Sequence, residues 1–167
     1  MTQPILNQVR NYDANEEYTF NFMYLGAEST TTNTLSIRKD EPDSKPIYEQ
    51  DQVSLDKNHI LPAKTLTNGN AYLAKVRVKT DNGYSEWSSE IKFMCFTTPK
   101  ILFDTIDQKQ FIYTNDVLMS AVYMQAQGEP VETYQFTLYD QRHVIVQRYP
   151  VRVPDADSPT RFSERVK

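Results

Sequence analysis

Tyr18, Phe20, Phe22 and Tyr24 stand at every second position of "EEYTFNFMYLG", the period of a strand with one face in a core. After the polar loop "AESTTTN", the stretch "TLSIRKD" puts Leu35 and Ile37 on one face. Two prolines and many charges in "EPDSKPIYEQDQVSLDKN" predict loop and edge strand, because proline cannot donate to a ladder. Another strand is expected to begin at "HILPAKTL". The clearest pattern follows in "LTNGNAYLAKVRVKTDNG". Tyr72, Ala74, Val76 and Val78 form an apolar face, opposite Leu73 and the basic row Lys75, Arg77 and Lys79. Asn82-Gly83 supplies residues that tolerate positive φ, so the chain should turn there and return as "YSEWSSEIKFMC", making a hairpin.

At Thr97-Thr98-Pro99 the pattern restarts. "PKILFDTI" is similar to "QPILNQV", "DVLMSAVYMQ" alternates Val117, Met119, Ala121 and Tyr123, and "ETYQFTLYD" alternates Tyr134, Phe136 and Leu138. Two copies of one β unit, residues 1–98 and 99–167, describe this best. The stretch "DADSPTRFSERVK" takes the place of "DKNHILPAKTL" of the first copy, and nothing after it matches the Tyr72 or Trp87 strands. The second module is therefore expected to be truncated before its last two strands, as a fragment of a longer protein would be. The alternative is a partner that supplies those strands by β-augmentation.

Composition narrows the class. Of the 167 residues 12% are aromatic, with eleven tyrosines and only four glycines, which suits short alternating strands of an all-β protein. The net charge of -4 is spread evenly, with 10 basic and 13 acidic side chains in residues 1–98 and 8 and 9 in residues 99–167. No basic face is available to neutralise phosphates, so nucleic acid is not an expected partner. No segment approaches the roughly 20 apolar residues of a membrane span, and "MTQPILNQVR" lacks the charged start and apolar run of an export signal. The expectation is a protein neither inserted nor exported. Cys95 is alone and lies in the strand-like "KFMCFTT", where it reads as a small hydrophobe.

Leu66-x-x-Gly69-x-x-Tyr72, leading into "YLAKVRVKTDNGYSEWS", resembles the fibronectin type III family at its most recognisable place. The resemblance implies a seven-stranded sandwich of two antiparallel sheets. It also implies a tyrosine corner, in which the Tyr72 hydroxyl folds back onto the chain. It covers residues 1–98, and residues 99–167 as the first five strands of a second copy. The family's inward tryptophan on the second strand is absent, with phenylalanine near Phe20 and Phe22 in its place. "YMQAQGEPVETYQFTLYDQ" further resembles Ig-like or fibronectin-like modules of bacteriophage tail, baseplate and fibre proteins. That likeness implies a virion protein assembled in the bacterial host cytoplasm.

Candidate chemistry is sparse. His59 and His143 fall at matching strand-like positions of different copies, and neither pairs in pattern with Cys95, so no nucleophile and base arrangement is visible. No spacing of metal-ligand type occurs, and Asp40, Glu41 and Asp43 read as a solvated acidic loop. No catalytic residue, cofactor or metal is expected.

Trp87 is the residue that invites a function. With Tyr84, Ser85 and Glu86 it has the surroundings of a sugar platform. Two structural placements compete with that. Parity with Ile91 and Phe93 sends it inward, and a bulge among the serines turns it outward onto Arg77 in a cation–π stack. "SEWS" also resembles part of the Trp-Ser-x-Trp-Ser ladder of cytokine-receptor fibronectin domains, where such stacking is structural. Lys75 and Lys79 are either a solvated face or a docking patch. Tyr123 and Tyr134 alternate as core residues, which leaves Tyr139 free to face a partner.

The function expected is that of a non-catalytic virion component, a spacer and docking module working in symmetric copies beside other tail proteins. A cell-wall carbohydrate-binding or adhesion module is the alternative, and a spacer of a secreted bacterial enzyme the second.

Overall fold

The computed structural model describes residues 2–104 and 116–166. The chain divides into two compact units, Met1–Thr98 and Pro99–Lys167. No helix occurs among the described residues. The fold is all-β, built as tandem fibronectin type III-like antiparallel sandwiches.

In the first unit β1 (Ile5–Leu6), β2 (Tyr18–Met23) and β5 (Asn58–Leu61) make one sheet in the order β1-β2-β5. The other sheet holds β3 (Thr32–Lys39), β4 (Pro46–Val53), β6 (Ala71–Thr80), β7 (Gly83–Tyr84) and β8 (Ile91–Met94), in the order β4-β3-β6-β7 with β8 also on β6. Register follows the apolar alternation, because a one-residue slip would turn every inward side chain to water. Leu35 faces Val76 and Ile37 faces Ala74 across the β3–β6 pair, and all four are fully buried. From the opposite sheet Phe20 packs edge-on against Phe93 at 5.7 Å, and Tyr72 stacks on Phe93 at 5.7 Å. Phenylalanines therefore fill the centre of this core. The proline-bearing stretch forms the edge strand β4, and the tight turn lies between Thr80 and Gly83, where Gly83 takes φ 107°.

The tyrosine corner is present. The Tyr72 hydroxyl donates to the Thr67 carbonyl and accepts from the Thr67 N–H, both at 3.0 Å. Leu66 is buried beside it, and Gly69 takes φ 87° while its N–H donates to the Cys95 carbonyl. Only glycine meets that backbone at low cost.

The second unit pairs β9 (Lys100–Phe103), β10 (Val117–Met124) and β13 (Arg161–Val166) in the order β13-β10-β9, the counterpart of β5-β2-β1. Its other layer is the hairpin β11 (Thr137–Tyr139) and β12 (Ile145–Arg148). Met119, Ala121, Phe136, Tyr149 and Phe162 form its core, with Tyr123 and Tyr134 partly buried against it. Two expectations need correction. The "ETYQFTLYD" alternation does not make one continuous strand: Tyr134 is held by an isolated bridge to Arg152, and a register shift at Leu138/Tyr139 shortens regular pairing to three residues. His143 is not in a strand. It takes φ 58° in the turn, where its N–H donates to the Asp140 carbonyl.

Candidate functional site

The feature with the most organised surface chemistry is built on the outer face of β6. Strand alternation sends Lys75, Arg77 and Lys79 to that face, and the returning chain lays two aromatic rings across them. The Arg77 guanidinium carbon lies 4.5 Å from the Trp87 ring centre and 4.2 Å from that of Tyr84. Lys75 Nζ stands 5.0 Å from Trp87, and Lys79 Nζ 5.3 Å from Tyr84. The order is thus Lys79, Tyr84, Arg77, Trp87, Lys75, an interleaved ladder in which each ring contacts two cations. Each contact stabilises by about 0.5–1 kcal/mol at an exposed site.

Two serines put the rings there. Between β7 and β8 the chain leaves regular pairing, and Ser85 and Ser88 take over part of the ladder. Ser85 Oγ accepts from the Val78 N–H at 3.1 Å and Ser88 Oγ accepts from the Val76 N–H at 3.0 Å. Their own N–H groups donate to the carbonyls of Val78 and Val76. Both serines are buried, which satisfies the backbone of β6 while the local bulge swings Trp87 outward. Ile91 and Phe93 resume the inward parity, and the Trp87 carbonyl accepts from the Gln3 side-chain amide.

The ladder is tied to the edge of its sheet. Tyr84 donates its hydroxyl proton to Asp51 at 2.7 Å and Thr34 donates to the other Asp51 oxygen at 2.5 Å. Hydrogen bonds from Thr34 and then Tyr84 hold the Asp51 carboxyl below the usual range, and the same carboxylate raises the Tyr84 phenol. Arg77 Nε donates to Thr34 Oγ1 at 3.4 Å. Lys75 and Lys79 are thus both rungs of this ladder. Tyr139 belongs to the second unit, at the end of β11, and is exposed.

His59 and Cys95 are both engaged in the core of the first unit. His59 is buried. Its Nδ1 lies 2.6 Å from Asn33 Oδ1 and its Nε2 2.9 Å from the Tyr48 hydroxyl. Asn33 spends its amide on the Asn58 carbonyl, so its oxygen is the acceptor, the proton sits on Nδ1, and Nε2 accepts from Tyr48. Burial lowers the imidazole to about 4, which keeps it neutral. The Cys95 thiol is buried and pushed up to about 11 by desolvation. Among the described residues no three His, Cys, Asp or Glu side chains cluster to hold a metal ion. Asp40 pairs with Lys92 at 2.6 Å.

Sequence reasoning missed the polar groups that bind segments together. Asp13 accepts from the Asn68 amide at 2.7 Å, from the Asn15 N–H at 2.9 Å and from the Thr98 N–H at 2.6 Å. These bonds, that of Asn68 first, hold its carboxyl well below the carboxylate range. Asp13 has no periodic signal, whereas the Ser-x-x-Ser spacing around Trp87 was visible as text.

No family model matches the chain, and no curated protein sequence does. Among solved structures, the fibronectin(III)-like modules of CbhA from Clostridium thermocellum superpose with a TM-score of 0.45 at 9% identity. That match covers 96% of this chain and 77% of the other. The FN1–FN3 domains of chicken CNTN1 superpose with a TM-score of 0.47 at 13% identity, over 99% of this chain and 56% of theirs. The fibronectin-like fold itself is read from strand order and the tyrosine corner.

Proposed function

We propose that the chain is a non-catalytic β-sandwich spacer and docking module of a larger assembly, and within that class a structural component of a bacteriophage tail, baseplate or fibre. The observation that carries the coarser reading is the use made of reactive side chains. His59, Cys95 and Asp13 are each fixed in bonds or burial that stiffen the first sandwich. The finer reading draws on the module-like text "YMQAQGEPVETYQFTLYDQ". Its partners are then neighbouring virion proteins, with further copies of itself in a symmetric array, in particles assembled in the host cytoplasm.

Carbohydrate binding is the weaker reading because Trp87 contacts Arg77 and Lys75, which compete with a sugar for its ring faces. The test is quantitative mass spectrometry of density-purified particles from lysates of cells carrying the gene. The chain co-purifying at fixed stoichiometry with tail proteins is expected. Recovery only from the particle-free fraction, or on host cell walls in a Trp87-dependent way, overturns the virion reading.

A further inference from the structure

The first unit holds two Asn-Gly pairs, Asn68-Gly69 and Asn82-Gly83. In such a pair the glycine backbone nitrogen can attack the side-chain carbonyl carbon of the asparagine, because glycine has no Cβ to obstruct the approach. The fold treats the two pairs in opposite ways.

Asn68-Gly69 is locked on both sides of that reaction. Asn68 Oδ1 accepts from the Ala14 N–H at 2.9 Å, and its amide donates to Asp13 at 2.7 Å and to Thr97 at 3.4 Å. The Gly69 N–H, which would have to become the nucleophile, donates to the Cys95 carbonyl at 2.7 Å. The side chain must leave its bonds, and the backbone its own, before the two can meet.

Asn82-Gly83 lies at the β6–β7 turn. Asn82 is exposed, and among the described residues its side-chain amide has no hydrogen-bond partner. The turn holds it by the backbone instead, its N–H donating to Thr80 Oγ1 at 3.2 Å. A Cβ placed on Gly83 would meet nothing within 4 Å, so the flank of the attacking nitrogen is open to water and base. Gly83 is restrained by its pairing with Thr80, at the end of a ladder two residue pairs long. Turn tips and short strand ends of this kind open at the least cost in free energy.

We propose that Asn82 is a self-modification site, at which the chain converts this asparagine to isoaspartate and aspartate through a cyclic imide, while Asn68 is preserved. The Gly83 nitrogen gives its proton to hydroxide and bonds to the Asn82 side-chain carbonyl carbon. The bond from that carbon to the amide nitrogen breaks, and the nitrogen takes a proton from water and leaves as ammonia. Water then opens the imide. Opening at the side-chain carbonyl restores the main chain with an aspartate, and opening at the main-chain carbonyl leaves isoaspartate, with the backbone one methylene longer. Water is the co-reactant, and nothing is oxidised or reduced.

The product bears on the ladder of rings and cations. Gly83 leads directly into Tyr84, whose ring contacts Arg77 and Lys79 and whose hydroxyl donates to Asp51. A lengthened turn displaces this outer rung. Trp87 stands beyond the change, on the segment that Ser88 bonds to Val76.

The test follows the full chain at pH 8.5 in water enriched in heavy oxygen, with mass spectrometry of the peptides that carry residues 68 and 82. Loss of ammonia with uptake of the isotope is expected at least tenfold faster at Asn82 than at Asn68. In urea, where the bonds around Asn68 are gone, the two rates should converge. Asp13→Ala, which removes one of the Asn68 locks, should speed conversion at Asn68 at least threefold and leave Asn82 as it was. The modified chain, separated by its added charge, should exchange the Ser85 N–H, bonded to the Val78 carbonyl at 2.9 Å, at least threefold faster, with the Ser88 N–H unchanged.

Equal rates at the two positions in the folded chain overturn the proposal, as does a ratio that persists undiminished in urea, which would take the difference away from the fold. Unchanged exchange at Ser85 overturns the effect on the ladder. The comparison of the two positions needs no variant, so it decides even where Asp13→Ala fails to fold.

Discussion

The two units begin alike and diverge at one layer. Each has a three-stranded sheet of the same order, and each pins it to the facing layer through a polar link from the third strand. In the first unit the link is neutral, from His59 to Asn33 and Tyr48. In the second it is ionic, with Arg152 gripping Glu164 through two bonds of 2.8 and 3.1 Å. The difference is the β6–β8 hairpin, which supplies the first unit with five core side chains and a second partner for β3. Its counterpart is absent among the described residues of the second unit, where β9 is exposed along its whole length. Among the described residues the second unit keeps the strand order of its three-stranded sheet, while a groove lies on the side of its core where β6 and β8 stand in the first.

The sharpest way to break this comparison is to remove one aromatic from each core. Phe93→Ala should destabilise the first unit by about 3–5 kcal/mol, since its ring is enclosed by Phe20, Tyr72 and Tyr12 and leaves a cavity that cannot collapse. Phe162→Ala, whose ring lines the open groove, should cost less, about 2 kcal/mol. Urea unfolding read by residue-resolved hydrogen exchange separates the units. Equal losses would show that both cores are equally closed.

Acid should weaken the link made by His59. Folding holds His59 neutral at about 4, against an unfolded value near 6.5, so the unfolded chain binds the extra proton between these limits. The contribution is complete above pH 6.5 and is lost as pH falls toward 4, about 3 kcal/mol in all. The charges nearest the ring do not reverse this sign: Asp51 on β4 acts to raise His59, but burial outweighs it. Urea midpoints of the first unit at pH 7.5 and 4.5 measure the effect. His59→Gln, which keeps a donor and an acceptor, should flatten the profile between those values, and an unchanged slope in that variant would assign the loss elsewhere.

How much was legible beforehand follows from the physics of each signal. Alternation at Phe20, Phe22, Tyr72, Val76 and Val78 is a repeated apolar code, so the first sandwich could be read strand by strand. Leu66, Gly69 and Tyr72 carry the resemblance to the fibronectin type III family, and the corner was expected because that resemblance implies it. The short β11 could not be read, because a register shift at Leu138/Tyr139 leaves no trace in hydrophobicity. Nor could His143, whose turn depends on Asp140 capping the N–H groups of Arg142 and Val144. For Trp87, parity and the serine bulge pointed opposite ways, and the buried Ser85 and Ser88 hydroxyls decide between them.

The corner gives a smaller effect confined to the first unit. Tyr72→Phe keeps the ring on Phe93 but strands the Thr67 N–H and carbonyl. A loss of about 1–2 kcal/mol is expected, read as a shift of the urea midpoint with unchanged slope. A neutral result would make the corner a feature of geometry without energetic weight.

The smallest expected effect bears on Trp87, which has no equivalent in the second unit. Trp87→Ala removes two cation contacts, so the first unit should lose about 1–2 kcal/mol. The serine bonds that hold the segment to β6 are untouched by this change, so the fold should persist. Arg77→Ala removes two contacts of its own, one of them shared with Trp87. The double variant should therefore lose less than the sum of the single ones, by about 0.5–1 kcal/mol, the value of the shared rung. Strict additivity would mean that Trp87 and Arg77 lie side by side without supporting each other. Trp87 would then be free to serve a ligand, and the ladder would no longer separate a structural tryptophan from a binding one.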